Sequence, residues 1–147
     1  MADALSRGDF RTPLVVGDRL DTDIAGAHAA ELPSLMVLCG VNTAADVVWA
    51  IPQERPDYLA EDLRALPTDA EVLRVATHPA WQVDISDGTV TVHSTGEEPG
   101  DALSVVRAIA AAVWAADPDQ RPSSIVGGDE AARQAVQRWS LAPAVID

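Results

Sequence analysis

Lysine is absent from this 147-residue sequence: all ten basic residues are arginine, set against 23 acidic ones, for a formal net charge of −13. Affinity for a phosphate backbone comes from clustered Lys and Arg, so this balance argues against nucleic acid as a partner. Cysteine occurs once, at Cys39, which rules out an internal disulfide and fits a reducing cytoplasm or a small buried hydrophobe. Long apolar runs are also missing. No segment approaches the roughly 18 residues of a membrane span, and the start Met1-Ala2-Asp3-Ala4 has no basic region followed by an apolar core. A cytoplasmic protein without membrane contact is the expectation. The three histidines, His28, His78 and His93, are far apart in sequence and form no obvious metal pair.

What is present is a chain with 48% hydrophobic residues, long enough for one domain or two small ones. Its organising stretch is Pro13-Leu14-Val15-Val16-Gly17-Asp18-Arg19-Leu20-Asp21-Thr22-Asp23-Ile24. Leu14 to Val16 reads as a strand buried on both faces, because no polar residue alternates with the apolar ones. Gly17 breaks the run, and Asp18, Asp21 and Asp23 fall in the loop beyond the strand's carboxyl end, where open α/β sheets place their ligands. Two carboxylates about 5 Å apart repel by about 3 kcal/mol at an effective dielectric near 20, and a divalent cation would relieve that. On spacing alone an alternative stands beside the metal site: Asp21 or Thr22 caps a helix starting near Ile24 and the other acids are solvated.

Along the chain, residues 1–11 carry a short helix with Leu5 and Phe10. A helix over Ile24–Ala30 is stopped by Leu32-Pro33. Ser34 to Cys39 forms a second buried-type strand around Leu35-Met36-Val37-Leu38 that ends at Gly40 as the first ends at Gly17, and a helix over Ala44–Ala50 follows, capped by Thr43 with Asp46 in its first turn. Arg55-Pro56-Asp57-Tyr58-Leu59-Ala60 is a third short strand arriving from a proline-marked turn, and Glu61–Leu66 a helical turn. Strands alternating with helices argue for a parallel sheet. The style changes after Pro67-Thr68-Asp69. From Trp81 apolar and polar residues alternate, and Asp87-Gly88 marks a two-residue hairpin turn that sets Ile85 opposite Val90 and Val83 opposite Val92. Gln82, Asp84, Thr91 and His93 then lie on a wet face. A helix to about Ala116 carries the stripe Leu103, Val106, Ile109, Ala110 and Val113. Ser124-Ile125-Val126 is a further strand, Gly127-Gly128 a turn, Asp129–Trp139 a helix with Ala132, Val136 and Trp139 inward, and Ala144-Val145-Ile146 a last strand. Asp129 and Glu130 oppose a phosphate at the Gly127-Gly128 turn.

The run Leu14 to Ile24, then Gly26-Ala27, Leu38-Cys39-Gly40-Val41-Asn42 and Arg55-Pro56-Asp57-Tyr58-Leu59 resembles the haloacid dehalogenase (HAD) superfamily, in its NagD, p-nitrophenyl phosphatase and phosphoglycolate or glycerol-phosphate phosphatase branch. The resemblance covers about residues 12–66. It implies that Gly17-Asp18 with Asp23 is the family's fourth motif, in which Asp18 is a Mg²⁺ ligand and Asp23 and Gly17 support the metal site. It also implies parts that this sequence lacks. The family's nucleophilic Asp stands in an Asp-x-Asp motif after a strand, and a Lys neutralises the transferring phosphoryl group. Here Asp-x-Asp occurs only at Asp21-Thr22-Asp23 and Asp117-Pro118-Asp119, and Arg7 or Arg11 in place of the Lys would depart from the pattern. No residue of this chain is therefore expected to be catalytic in itself.

The implied fold is α/β: residues 1–67 a partial Rossmann-like parallel sheet, the C-terminal half of a HAD core, and residues 68–147 a small α+β domain with a hairpin that weakly resembles an acetyltransferase appendage. The function expected is the metal-binding portion of a Mg²⁺-dependent phosphatase for a small phosphorylated metabolite, inactive alone. The alternatives are a stand-alone binding or regulatory protein on the HAD fold and an acyltransferase-like binding module. A sheet edge left unpaired in a partial core also favours self-association.

Overall fold

The two apolar runs that end at glycine become neighbouring parallel strands. In the computed structural model, which describes residues 14–38, 40, 42–65, 70–117, 119 and 121–141, Val15–Gly17 (β1) pairs with Ser34–Val37 (β2), and β2 pairs with Tyr58–Ala60 (β3). All are parallel, in the order β1-β2-β3, with Val16 opposite Leu35 and Met36 opposite Leu59. The helix of residues 1–11, Arg7, Arg11, Cys39 and the strand at Ala144–Ile146 lie outside the described residues, as does the expected division near residue 67. The described residues form two compact units, one from residues 14–43 and 50–74, the other from residues 44–49 and 75–141.

In the first unit the central strand β2 is buried along its whole length, as a strand with neighbours on both sides should be. Leu35, Met36 and Leu59 are fully buried beside it; each such side chain contributes about 1.5–3 kcal/mol through its removal from water. Ala70–Leu73 (α3) adds Leu73, which packs with Leu35, Val37, Ala60 and Tyr58. β1 departs from expectation. It is not buried on both faces: Leu14 is 42% and Val16 37% exposed, because among the described residues β1 is an edge strand with β2 as its one neighbour. The helix after it also starts earlier than Ile24. The chain coils from Leu20, first as one wide turn over Leu20–Ile24 in which the Ile24 amide donates to the Arg19 carbonyl, then as Ala25–Ala29 (α1). Asp21 and Thr22 therefore sit inside that turn and cap nothing. Glu31, at φ 58°, turns the chain out of the helix just before Leu32-Pro33.

In the second unit the hairpin has the expected register. Trp81–Ser86 (β4) and Thr89–Ser94 (β5) pair antiparallel, with Val83 opposite Val92 and Ile85 opposite Val90. Asp87 and Gly88 have φ of 52° and 77°, the pair of positive angles that a two-residue turn needs to follow the twist of its strands. Ser104–Ala115 (α4) follows β5, and Ser124–Gly127 (β6) returns parallel to it. The stripe Leu103, Val106, Ile109, Ala110 and Val113 is buried, and so are Val105, Ala108 and Arg107. Buried Arg107 is satisfied by a two-pronged pair with Asp101, at 2.7 and 2.9 Å. The short helix Ala44–Val48 (α2) belongs to this unit, where the Trp114 indole donates to the Val48 carbonyl at 3.1 Å.

The last helix, Glu130–Arg138 (α5), packs tightly on β6 at Gly127, where a Cβ would lie 2.5 Å from the Arg133 backbone nitrogen. Ala132 and Val136 are buried, and Trp139, just past the helix, donates its indole N–H to the Ala102 carbonyl. His93 is not a solvated strand residue. Its ring fills the space over Gly128, where a Cβ would come within 2.2 Å of Nε2, because the parallel register sets Val92 opposite Gly127 and so brings the next residues together. Asp129 closes the same turn: its carboxylate accepts from the amides of Ala132 (2.8 Å) and Ser94 (2.7 Å) and from the Ser94 hydroxyl (3.1 Å).

These hydrogen bonds, from Ala132 first and then Ser94, hold the Asp129 carboxyl below its ordinary value of 3.8. A carboxyl depressed by folding contributes stability above its unfolded pKa, and that stability is lost as pH falls through the folded value. Asp129→Ala should therefore lower the melting midpoint by several degrees at neutral pH, with the gap to the wild type narrowing below about pH 4. Thermal unfolding at a series of pH values reads this, and a gap that stays constant through the acid range would contradict it.

Candidate functional site

The site lies beyond the carboxyl ends of β1 and β2, and it is built from two glycine-terminated strands and the acids that follow the first. Asp23, inside the wide turn, folds back onto β1. Its Oδ2 accepts from the amides of Asp18 (3.2 Å) and Arg19 (3.3 Å). That return is possible because residue 17 is glycine: a Cβ there would overlap the Asp23 side chain, at 2.2 Å from its Cβ and 2.6 Å from Oδ2. A carboxylate that accepts backbone N–H bonds has its charge offset locally.

Asp21 points elsewhere. Its two oxygens receive Nε and a terminal nitrogen of Arg19, at 3.1 and 2.9 Å, in a pair exposed to solvent. The hydrogen bonds from Arg19 hold its carboxyl below the usual carboxylate range, and the same contact raises the Arg19 guanidinium. Such an exposed pair adds little stability, but it settles the Asp21 charge. Two of the three clustered acids thus have hydrogen-bond donors on their carboxylates from within the chain.

Asp18 is the acid that remains. Among the described residues no hydrogen-bond donor reaches its carboxylate. The group rests instead over Gly40, just past β2, where a Cβ would stand 2.1 Å from Asp18 Oδ2 and 2.6 Å from Cγ. From the same loop, Asn42 Oδ1 accepts the Leu20 amide at 2.8 Å. The structure therefore brings Gly17, Asp18 and Asp23 together, and it leaves Asp21 and His28 outside the group. It also adds Gly40 and Asn42, which reading the sequence missed; the signal available was the repetition, in β2, of the strand-then-glycine pattern of β1. A half-buried carboxylate held in a cradle that a side chain would fill is a hard oxygen donor of the kind Mg²⁺ takes. No cluster of three or more His, Cys, Asp or Glu able to hold a metal occurs among the described residues.

Residues 1–66 match the HAD-hydrolase-like family. That part of the chain belongs to the HAD-like hydrolases. Its parallel sheet is part of the Rossmann-like HAD core, and residues 78–141 match a GCN5-related N-acetyltransferase-like domain. The D-glycerol 3-phosphate phosphatase of Mycobacterium tuberculosis is 57% identical over 149 residues, covering 96% of this chain and 42% of that protein. Crystal structures of a glycerol phosphate phosphatase from the same organism superpose closely at 57% identity. The complex with magnesium gives a TM-score of 0.87 over 95% of this chain and 41% of that one; the complex with calcium gives 0.89 over 98% and 43%. The chain thus spans about two fifths of the length of the relatives it matches. No helix among the described residues is long and apolar enough to cross a membrane.

Proposed function

We propose that this chain is the C-terminal, metal-binding portion of a Mg²⁺-dependent HAD phosphatase that hydrolyses a small phosphate monoester, of the class represented by glycerol phosphate. The observation that carries the reading is the sorting of charge in the loop after β1. Asp21 is paired with Arg19 and Asp23 with two amides, while Asp18 is held against Gly40 with no donor on its carboxylate among the described residues. Asp18 would hold the ion and Asp23 would fix the backbone under it. When bound, Mg²⁺ offsets the charge of a phosphoryl group and so permits attack on it by an anionic nucleophile. The nucleophilic Asp and the Lys of the family have no counterpart in this sequence, which contains no lysine. Turnover therefore needs the remainder of the fold, and a reducing cytoplasm fits a sequence with a single cysteine.

The test is a chimera in which these 147 residues replace the matching segment of the mycobacterial phosphatase. The chain alone with Mg²⁺ should not hydrolyse p-nitrophenyl phosphate above background. The chimera should hydrolyse glycerol 3-phosphate, with Asp18→Asn lowering kcat/KM by about 100-fold or more and Asp21→Asn changing it little. Turnover by the isolated chain, or a chimera indifferent to Asp18→Asn, would contradict the proposal. Binding of glycerol 3-phosphate by the isolated chain without turnover would favour the alternative, a non-catalytic binding protein on the HAD fold.

Among the described residues β1 has one neighbour, and this edge, with Leu14 and Val16 exposed near it, supports association of the isolated chain with a second copy. Sedimentation should show a mass that rises above 15.5 kDa with concentration; a constant monomer would sink that part of the reading.

A further inference from the structure

We infer that Gly40 and Asn42, on the loop after β2, are positioning residues that set where the Asp18 carboxylate points. The inference rests on the metal-binding reading of Asp18. Three consecutive amides, beginning with that of Asp18, are each tied to a side-chain oxygen: Asp18 and Arg19 to Asp23, and Leu20 to Asn42. The last tie comes from 22 residues away and crosses from the loop after β2 to the loop after β1. Leu20 is buried and opens the helical turn, where an amide has no partner within the helix, so without Asn42 that N–H would be left unsatisfied. Asn42 thus fixes the backbone two residues beyond Asp18 against the neighbouring strand.

Gly40 acts on the carboxylate itself. The atoms that a methyl at position 40 would meet are Asp18 Oδ2, Cγ and Cβ, at 2.1, 2.6 and 2.7 Å. Oδ2 and Cγ swing away on rotation about the Cα–Cβ bond, whereas Cβ is fixed to the backbone. A side chain at 40 would therefore turn the Asp18 carboxylate out of its cradle and also push back the loop that carries it. Gly17 works alike for Asp23. Each of the two acids occupies the volume that a glycine leaves, and the pair of glycines aims the pair of acids.

The test uses the ¹⁵N-labelled 147-residue chain and Mn²⁺ alone, which broadens the amide signals near any ion it meets. The wild type should lose the signals of Gly17 to Asp23 first, and Asp18→Asn should abolish that selectivity. If Asp18→Asn leaves the broadening unchanged, the metal reading itself fails. With that control satisfied, Gly40→Ala and Asn42→Leu should each raise the Mn²⁺ concentration for half-broadening about tenfold or more at a temperature where both are fully folded, although each also lowers the melting midpoint by a few degrees. Asn42→Asp, which keeps an acceptor oxygen for the Leu20 amide, should restore binding. Wild-type broadening in both Gly40→Ala and Asn42→Leu would overturn the inference. So would a loss of binding that appears only at temperatures where both variants are already unfolding, or that Asn42→Asp fails to rescue, since a purely structural role predicts those results.

Discussion

The arrangement of the site depends on one contact, the Asp23 carboxylate folded back onto the amides of Asp18 and Arg19. An acidic loop tends to open, because its charges repel and its backbone groups are solvated. Here one acid becomes the acceptor that closes the loop, and the closing geometry demands a residue without a side chain at Gly17. The wide turn over Leu20–Ile24 follows from the same constraint, since Asp23 must reach back past three residues while the helix begins. Wide helical turns of this kind recur at functional sites, where they re-aim a side chain that a regular helix would carry elsewhere.

The neighbouring strand supplies the other half. β2 is buried throughout, so its end is fixed in space by the packing of Leu35, Met36 and Val37. Gly40 and Asn42 inherit that fixity and transmit it to the loop after β1, one by leaving volume for a carboxylate and the other by accepting an amide. The chain of cause runs from apolar sequence to buried strand, from strand to loop position, and from loop position to the direction of a single acid. The second unit repeats the device with another outcome. There Asp129 also accepts amides, from Ala132 and Ser94, while His93 and the α5 backbone fill the volumes beside Gly128 and Gly127. In that turn the acid is taken up by hydrogen bonds, whereas the turn after β1 sets the Asp18 carboxylate over Gly40 with no donor on it among the described residues.

Local patterns carried much of this into the sequence. Alternation from Trp81 with Asp87-Gly88 fixes the hairpin and its register, because a two-residue turn leaves one pairing. Apolar runs ending in glycine mark β1 and β2. Spacing could not divide the labour among Asp18, Asp21 and Asp23, since it gives their nearness along the chain and not their directions. The resemblance of the motif separated Asp18 and Asp23 from Asp21, and the geometry gives the physical reason in Arg19 and in the two amides. The exposure of Val16 was not legible, because burial depends on what covers a sheet and not on the strand's own residues. His93 over Gly128 needed the parallel pairing of β5 with β6, which joins residues more than 30 apart. Gly40 and Asn42 needed the adjacency of two loops.

The central claim, that Asp23 holds the loop in which Asp18 is presented, is tested most directly by amide hydrogen exchange at Asp18 and Arg19. Replacing Asp23 with Ala should speed exchange at both amides by about tenfold or more, while Asp21→Ala, which removes only the exposed pair with Arg19, should leave them close to the wild type. Exchange at Asp18 and Arg19 that is unchanged in Asp23→Ala, or equally accelerated in Asp21→Ala, would contradict the account.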